Sequence, residues 1–213
     1  MKALRYTLLT DGSSDAALIP ILTWLLTTNG VGWAIQAEWA DLRGVCQSRK
    51  LVKRIIPSLA LYPCDLLFVH RDAEREPREK RVHEINKAIE KIVAPHSVPP
   101  AVCVVPVRMQ EAWLLFDEAA IRHASGNRSG RQPLHLPPLK QLEKLLDPKV
   151  ELHKRLKQAS HLSGRRLKRF PVRKHARRVA EFIDDFSPLR ALSAFAALEK
   201  DIQQIIEQRS WGV

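Results

Sequence analysis

Residues 65–76 read DLLFVHRDAERE, and the architecture follows from them. Leu66 to Val69 is apolar without a break, as a strand covered on both faces of a parallel sheet should be. It then gives way to His70, Arg71, Asp72, Ala73 and Glu74. Similar strand patterns lie on either side. LRYTLLT (4–10) and GWAIQAEWA (32–40) precede it, and AVCVVPV (101–107) comes after. Helical spacing separates them, over DAALIPILTWLLTTN, CQSRKLVKRIIPSL and REKRVHEINKAIEKIVA, with QEAWLLFDEAAIRHA after the fourth strand. Ser13 or Ser14 is placed to cap the first of these helices, Pro20 interrupts it, and Pro77 suits the first turn of the third. Four alternations predict a parallel, four-stranded α/β sheet flanked by helices.

Beyond the sheet the pattern changes. SGNRSGRQPLHLPP (125–138) reads as an exposed loop, and the rest of the chain is helical only. The expected organisation is an α/β domain over 1–125, a loop over 126–138, and a basic helical extension over 139–213 packed on the domain. The net charge is +12, and residues 149–178 hold twelve Lys or Arg against one acid, Glu151. That stretch therefore carries almost all of the excess charge. Such concentration points to a polyanion, nucleic acid before others. Arg165, Arg166, Lys168, Arg169, Arg173, Lys174, Arg177 and Arg178 are the candidate phosphate contacts, with Phe170 a candidate platform for a base. A solvated helix face that only confers solubility, or a dock for an acidic partner, is the plainer reading of the same residues.

In parallel α/β sheets ligands gather beyond the carboxyl ends of the strands. Asp11 and Asp15 stand after the first strand, His70, Asp72 and Glu74 after the third, and Glu111 after the fourth. If the strands take the order 2-1-3-4, Asp11 and Asp72 face each other across roughly 4.8 Å. Their repulsion, on the order of 3 kcal/mol, would be relieved by a hard divalent cation, Mg²⁺ or Mn²⁺. Each acid taken alone is more readily a turn or helix-cap residue than a catalytic one.

These motifs resemble the Toprim (topoisomerase–primase) fold, a Rossmann-like sheet. D-G-x-x-D follows strand one, a D-x-D-like turn follows strand three, and a Glu-bearing helix comes later. VPVRMQEAWLLFD (105–117) is similar to a small Toprim-like family related to the nuclease domain of overcoming-lysogenization-defect (OLD) proteins. The resemblance covers residues 4 to about 118. It implies a metal-dependent nuclease in antiviral defence, acting on DNA or RNA beside an ABC- or AAA-type ATPase. Asp11, Asp72 and Glu111 would hold a first ion, and Asp15, Glu74 and His70 would hold or orient a second. Asp11 stands where the family has Glu, and His70 where it has Asp, with Glu74 able to supply the missing carboxylate. Lys174, or Arg165 or Arg166, would reach the acidic rim and stabilise charge at phosphorus. The alternatives are a nucleic-acid-binding subunit without catalysis and a module that docks on the ATPase.

Other chemistries find less support. HRDAE lacks the remaining kinase motifs, and there is no G-x-x-x-x-G-K-[ST] phosphate loop. Ser13 and Ser14 have no base nearby in the sequence. Cys46, Cys64 and Cys103 show no C-x-x-C spacing, which argues against zinc and a disulfide framework and for a reducing, cytoplasmic setting. No apolar run is long enough to cross a bilayer, and charge at Arg5 breaks any signal-peptide pattern. Trp24, Trp33, Trp39 and Trp113 fall on apolar faces and are expected in the core. Trp211 reads as a free end or a partner contact. His83, His96, His123 and His135 read as structural or surface residues. Oligomeric state is open.

Overall fold

The computed structural model describes residues 2–93 and 98–212; His96 lies outside them. Strands β1 (Ala3–Leu9), β2 (Ala34–Trp39), β3 (Leu66–His70) and β4 (Ala101–Val104) form one parallel sheet in the order β2-β1-β3-β4. This is the order on which the acidic-rim expectation depended. All five residues of β3 are buried, because it has a strand on each side and helices on each face. β2, at the edge, alternates between exposed and half-buried positions.

Alternation along the strands sorts the core into two layers. Leu4, Tyr6, Leu8, Leu66, Phe68, Val102 and Val104 share one buried cluster. Leu9, Leu67, Val69, Cys103 and Val105 share the other, under α2 (Leu51–Leu61) and α3 (Arg78–Val93). Over the first layer lie α1 (Ile19–Thr28), α4 (Glu118–Ala124), α5 (Pro148–Ala159), α7 (Val172–Arg178) and α8 (Ser193–Arg209). Trp113 is fully buried there, edge-on to Phe195 of α8 at 5.4 Å. The C-terminal helices thus share the cover of one face of the sheet with α1 and α4. Between α5 and α7, α6 (Gly164–Lys168) buries no residue.

Several local expectations change. The segment after β1 starts as a 3₁₀ turn (Ser13–Leu18), and the α-helix begins only at Ile19. Pro20 then sits in a first turn, where its missing N–H has no partner to lose. Gly12, not Ser13 or Ser14, is the cap, and the Asp15 carboxylate accepts from its N–H at 2.9 Å. The segment after β4 divides likewise into a 3₁₀ turn (Gln110–Leu114) and α4, which Asp117 caps through Ala120 N–H.

The 125–138 stretch has no helix or strand, yet it is not simply exposed, because Leu134 is fully buried. The Arg155 guanidinium donates to its carbonyl at 2.6 Å, and the Gln158 amide donates to the Pro133 carbonyl. Trp211 is neither a free end nor available to a partner. Ser210 ends α8 in a left-handed conformation (φ 53°), which turns Trp211 back onto the core while Gly212 bridges to Val31. Of the other tryptophans, Trp24, Trp33 and Trp39 pack partly buried against the first layer. No helix among the described residues is long and apolar enough to cross a membrane.

Candidate functional site

The register of β1 on β3 pairs Leu8 with Phe68 and Leu9 with Val69, so residues of equal parity leave the sheet on the same face. Asp11 and Arg71 are odd and go to the α2–α3 side. His70 and Asp72 are even and go to the side of the C-terminal helices. Asp11 therefore does not face Asp72. Its carboxylate accepts from Arg54 Nη1 at 2.6 Å and from Arg71 Nε at 3.0 Å, and Arg71 reaches on to Glu84 of α3 at 3.2 Å. The 3₁₀ turn after Gly12 brings Asp15 back to the other face.

There four predicted residues come together. His70 Nδ1 must carry a proton, since it donates to the Val104 carbonyl at 2.9 Å. Nε2 is then left facing Asp72 Oδ1 at 3.5 Å and Asp15 Oδ2 at 3.9 Å. Asp15 is buried and fully engaged, accepting from Gly12 N, from Ser14 Oγ at 2.9 Å and from Gln110 Nε2 at 2.8 Å. Asp72 Oδ1 accepts from Gln110 N at 2.9 Å. Glu111 is buried beside them, with Lys149 Nζ 3.4 Å from its Oε1. Glu74 and Arg108, in the flanking loops, hold left-handed backbone conformations (φ 55° and 63°), and Glu74 N–H donates to the Arg108 carbonyl. Non-glycine residues in that region are strained, and such strain collects at functional sites.

The cluster borders a cavity of about 270 Å³ whose wall includes Glu111, Gln110, Lys149, His153, Arg173 and Arg177. The acids come from the sheet domain and the cations from α5 and α7. Arg177 donates to Ser13 Oγ at 2.9 Å and so ties α7 to the turn after β1. Burial holds His153 below the usual imidazole value, opposed by Glu111 and reinforced by Lys149, Lys157 and Arg173.

Other predicted residues stand apart. Lys174 is exposed and does not line the cavity, which its neighbours Arg173 and Arg177 do, one helical turn apart. Glu74 is exposed and pairs with Arg81 at 3.5 Å. Arg165, Arg166, Lys168 and Arg169 are exposed on and just beyond α6. Arg178 pairs with Glu181 at 3.1 Å. Phe170 is half-buried and stacks on His175 at 4.3 Å, so one of its faces is already covered. Gln110, Lys149 and His153 were not singled out in the sequence. Gln110 stands beside Glu111, and Lys149 and His153 lie within the basic 149–178 stretch, which was the signal for them.

Burial lifts the Asp72 carboxyl to about 6 from 3.8, with Glu111 and Asp15 adding to the rise and His70 opposing it. Between those two values the folded chain holds a proton that the unfolded chain has released. Stability should therefore fall as pH rises from about 4 to 6 and level off above, by roughly 2–3 kcal/mol from this group. Asp72→Asn should remove that slope in urea unfolding and be the more stable protein at pH 7. Equal slopes for the two proteins would show that Asp72 titrates normally.

Among the described residues no three His, Cys, Asp or Glu side chains form a group that would hold a metal ion unaided. The donor chemistry nevertheless suits one. Asp72 Oδ2 and Glu111 Oε2 have no hydrogen-bond partner among the described residues, and Glu111 and Asp15 add to the rise that burial imposes on Asp72. Mg²⁺ commonly binds through one or two carboxylates, with waters and substrate phosphate completing its shell. No family model matches the chain, and neither a curated protein nor a solved structure does.

Proposed function

We propose that this chain is a divalent-metal-dependent nuclease whose scissile phosphate enters the cavity between the carboxylate cluster and the wall of α5 and α7. What carries this reading is the meeting of Glu111, whose charge acts on the neighbouring Asp72, with Lys149, Arg173 and Arg177 around one opening. Nucleic-acid phosphate needs cations to bind, and its hydrolysis needs acids where charge and protons move. Asp72 and Glu111 would hold Mg²⁺ or Mn²⁺, which when bound supplies a water of lowered pKa. Arg173 and Arg177 would hold the phosphate, and Lys149 would sit where negative charge grows. His153, kept neutral by burial and neighbouring cations, is able to accept a proton. The exposed cations of α6 would extend the contact along the strand. A role in antiviral defence, and an ABC- or AAA-type ATPase as partner, rest on the Toprim-like resemblance alone.

A second reading is a nucleic-acid-binding subunit without catalysis. It is favoured by the engagement of Asp11 with two guanidiniums and of Asp15 with three donors. Purified protein incubated with plasmid, single-stranded DNA and tRNA, in Mg²⁺, Mn²⁺ or chelator, separates the two. Ion-dependent cleavage supports the first reading; binding with no cleavage in either ion supports the second.

Both readings share one expectation. The double replacement Arg173→Gln, Arg177→Gln should weaken binding to every nucleic acid alike. It should also reduce the slope of log K against log salt by about 2, roughly one for each phosphate left without its cation. An unchanged slope in a filter-binding or anisotropy titration would place the strand elsewhere.

A further inference from the structure

At its β2 end, the same carboxyl edge holds a second cavity, of about 440 Å³. Arg43, Arg49, Arg54 and Arg71 line it, with Asp11, Asp41 and the Trp39 ring. Asp41 is bound to Arg43 at 2.5 Å and offers the cavity no further charge. Arg49 is exposed and has no ion pair among the described residues. Arg54 and Arg71 are largely buried, with side chains 12% and 24% exposed, and both converge on the Asp11 carboxylate. Arg54 also donates to the Thr10 carbonyl. Asp11 itself is 45% exposed, so the clamp is rigid and its occupant is reachable from solvent.

We propose that this cavity is a nucleotide site. Its phosphate takes the place of the Asp11 carboxylate between Arg54 and Arg71, and its base lies on Trp39. A carboxylate and a phosphate present similar paired oxygens to guanidinium, and phosphate carries more charge and one more acceptor. Arg49 supplies the extra positive charge. Trp39 Nε1 donates to Thr10 Oγ1 at 3.0 Å, which fixes the ring beside the clamp. Arg43 lies over that ring at 5.5 Å and is the exposed side chain a base would displace. The volume lies in the range of small-ligand pockets. None of its four arginines lines the first cavity, and the site does not depend on hydrolysis there.

Isothermal titration of the full chain with AMP, inorganic phosphate and adenosine, without divalent ions, tests the proposal. AMP should bind more tightly than inorganic phosphate, and Trp39→Leu should bring the two together. Arg54→Gln should weaken both about tenfold, as loss of a charge-assisted hydrogen bond does. Arg49→Gln, at an exposed position, should weaken both without touching the fold. Asp11→Asn should tighten both several-fold, because it removes the competing charge, whereas a purely structural Asp11 would give weaker binding. Arg209→Gln, exposed on α8 and outside both cavities, should change nothing. No saturable binding to the unmodified protein, equal affinity for AMP and phosphate, or weaker binding in Asp11→Asn would each overturn the assignment.

Discussion

Asp72→Asn should lower metal-supported cleavage of nucleic acid by roughly 10²–10³-fold while leaving the strand bound. The substitution preserves the side chain's shape, and its oxygen can still accept from Gln110 N–H. What it removes is the charge that would hold the ion, and charge stabilisation by a bound metal is worth several kcal/mol at the transition state. Glu111→Gln should act in the same direction and, by freeing Lys149, should not weaken binding. Opposite signs for activity and stability are the diagnostic, since Asp72→Asn removes a carboxylate whose charge is disfavoured chiefly by burial and further by Glu111 and Asp15. Groups held in an unfavourable state for function behave this way. Single-turnover cleavage beside urea unfolding measures both. A variant that cleaves as fast as the unmodified chain would end the nuclease proposal and leave the binding reading.

The second large effect concerns the helices of the C-terminal third. A chain ending at Pro138 should not fold, because Tyr6, Leu8, Phe68 and Trp113 would lose Leu152, Leu156, Val179, Phe195, Leu198 and Ile202 from the same buried cluster. Trp113→Ala in the full chain should cost about 3–5 kcal/mol, as loss of a buried large aromatic does. That is a large share of the roughly 5–15 kcal/mol typical of a whole protein. Urea denaturation followed by circular dichroism reads both. Cooperative unfolding of the shortened chain would show that the sheet needs no such cover. The cations of α5 and α7 thus stand on helices that hold the sheet together, which gives the cavity wall a rigid mounting.

Much of the scaffold could be read directly. The unbroken apolar run Leu66–Val69 marked a central strand, and β3 is buried throughout. Period and spacing located four strands and most helices, because burial on one face imposes those periods wherever the strand or helix lies. The concentration of positive charge near the C-terminus needed only counting. Helix starts were harder. The 3₁₀ turns at Ser13–Leu18 and Gln110–Leu114 carry helical apolar spacing but close through shorter-range hydrogen bonds.

The site divides along the same line. That acids gather at the carboxyl edge of the sheet followed from the chain's alternation of strand and helix. Which acids meet did not. Asp11 and Asp72 part company because Leu8 lies opposite Phe68, and a shift of one residue would have put them on one face. Nothing local sets that register; it comes from the packing of two strands nearly sixty residues apart on their shared helices. Lys149, Arg173 and Trp211 were placed the same way, by a C-terminal third that folds back over the sheet. Local periodicity records which side of an element is buried, and it carries no information about what that side is buried against.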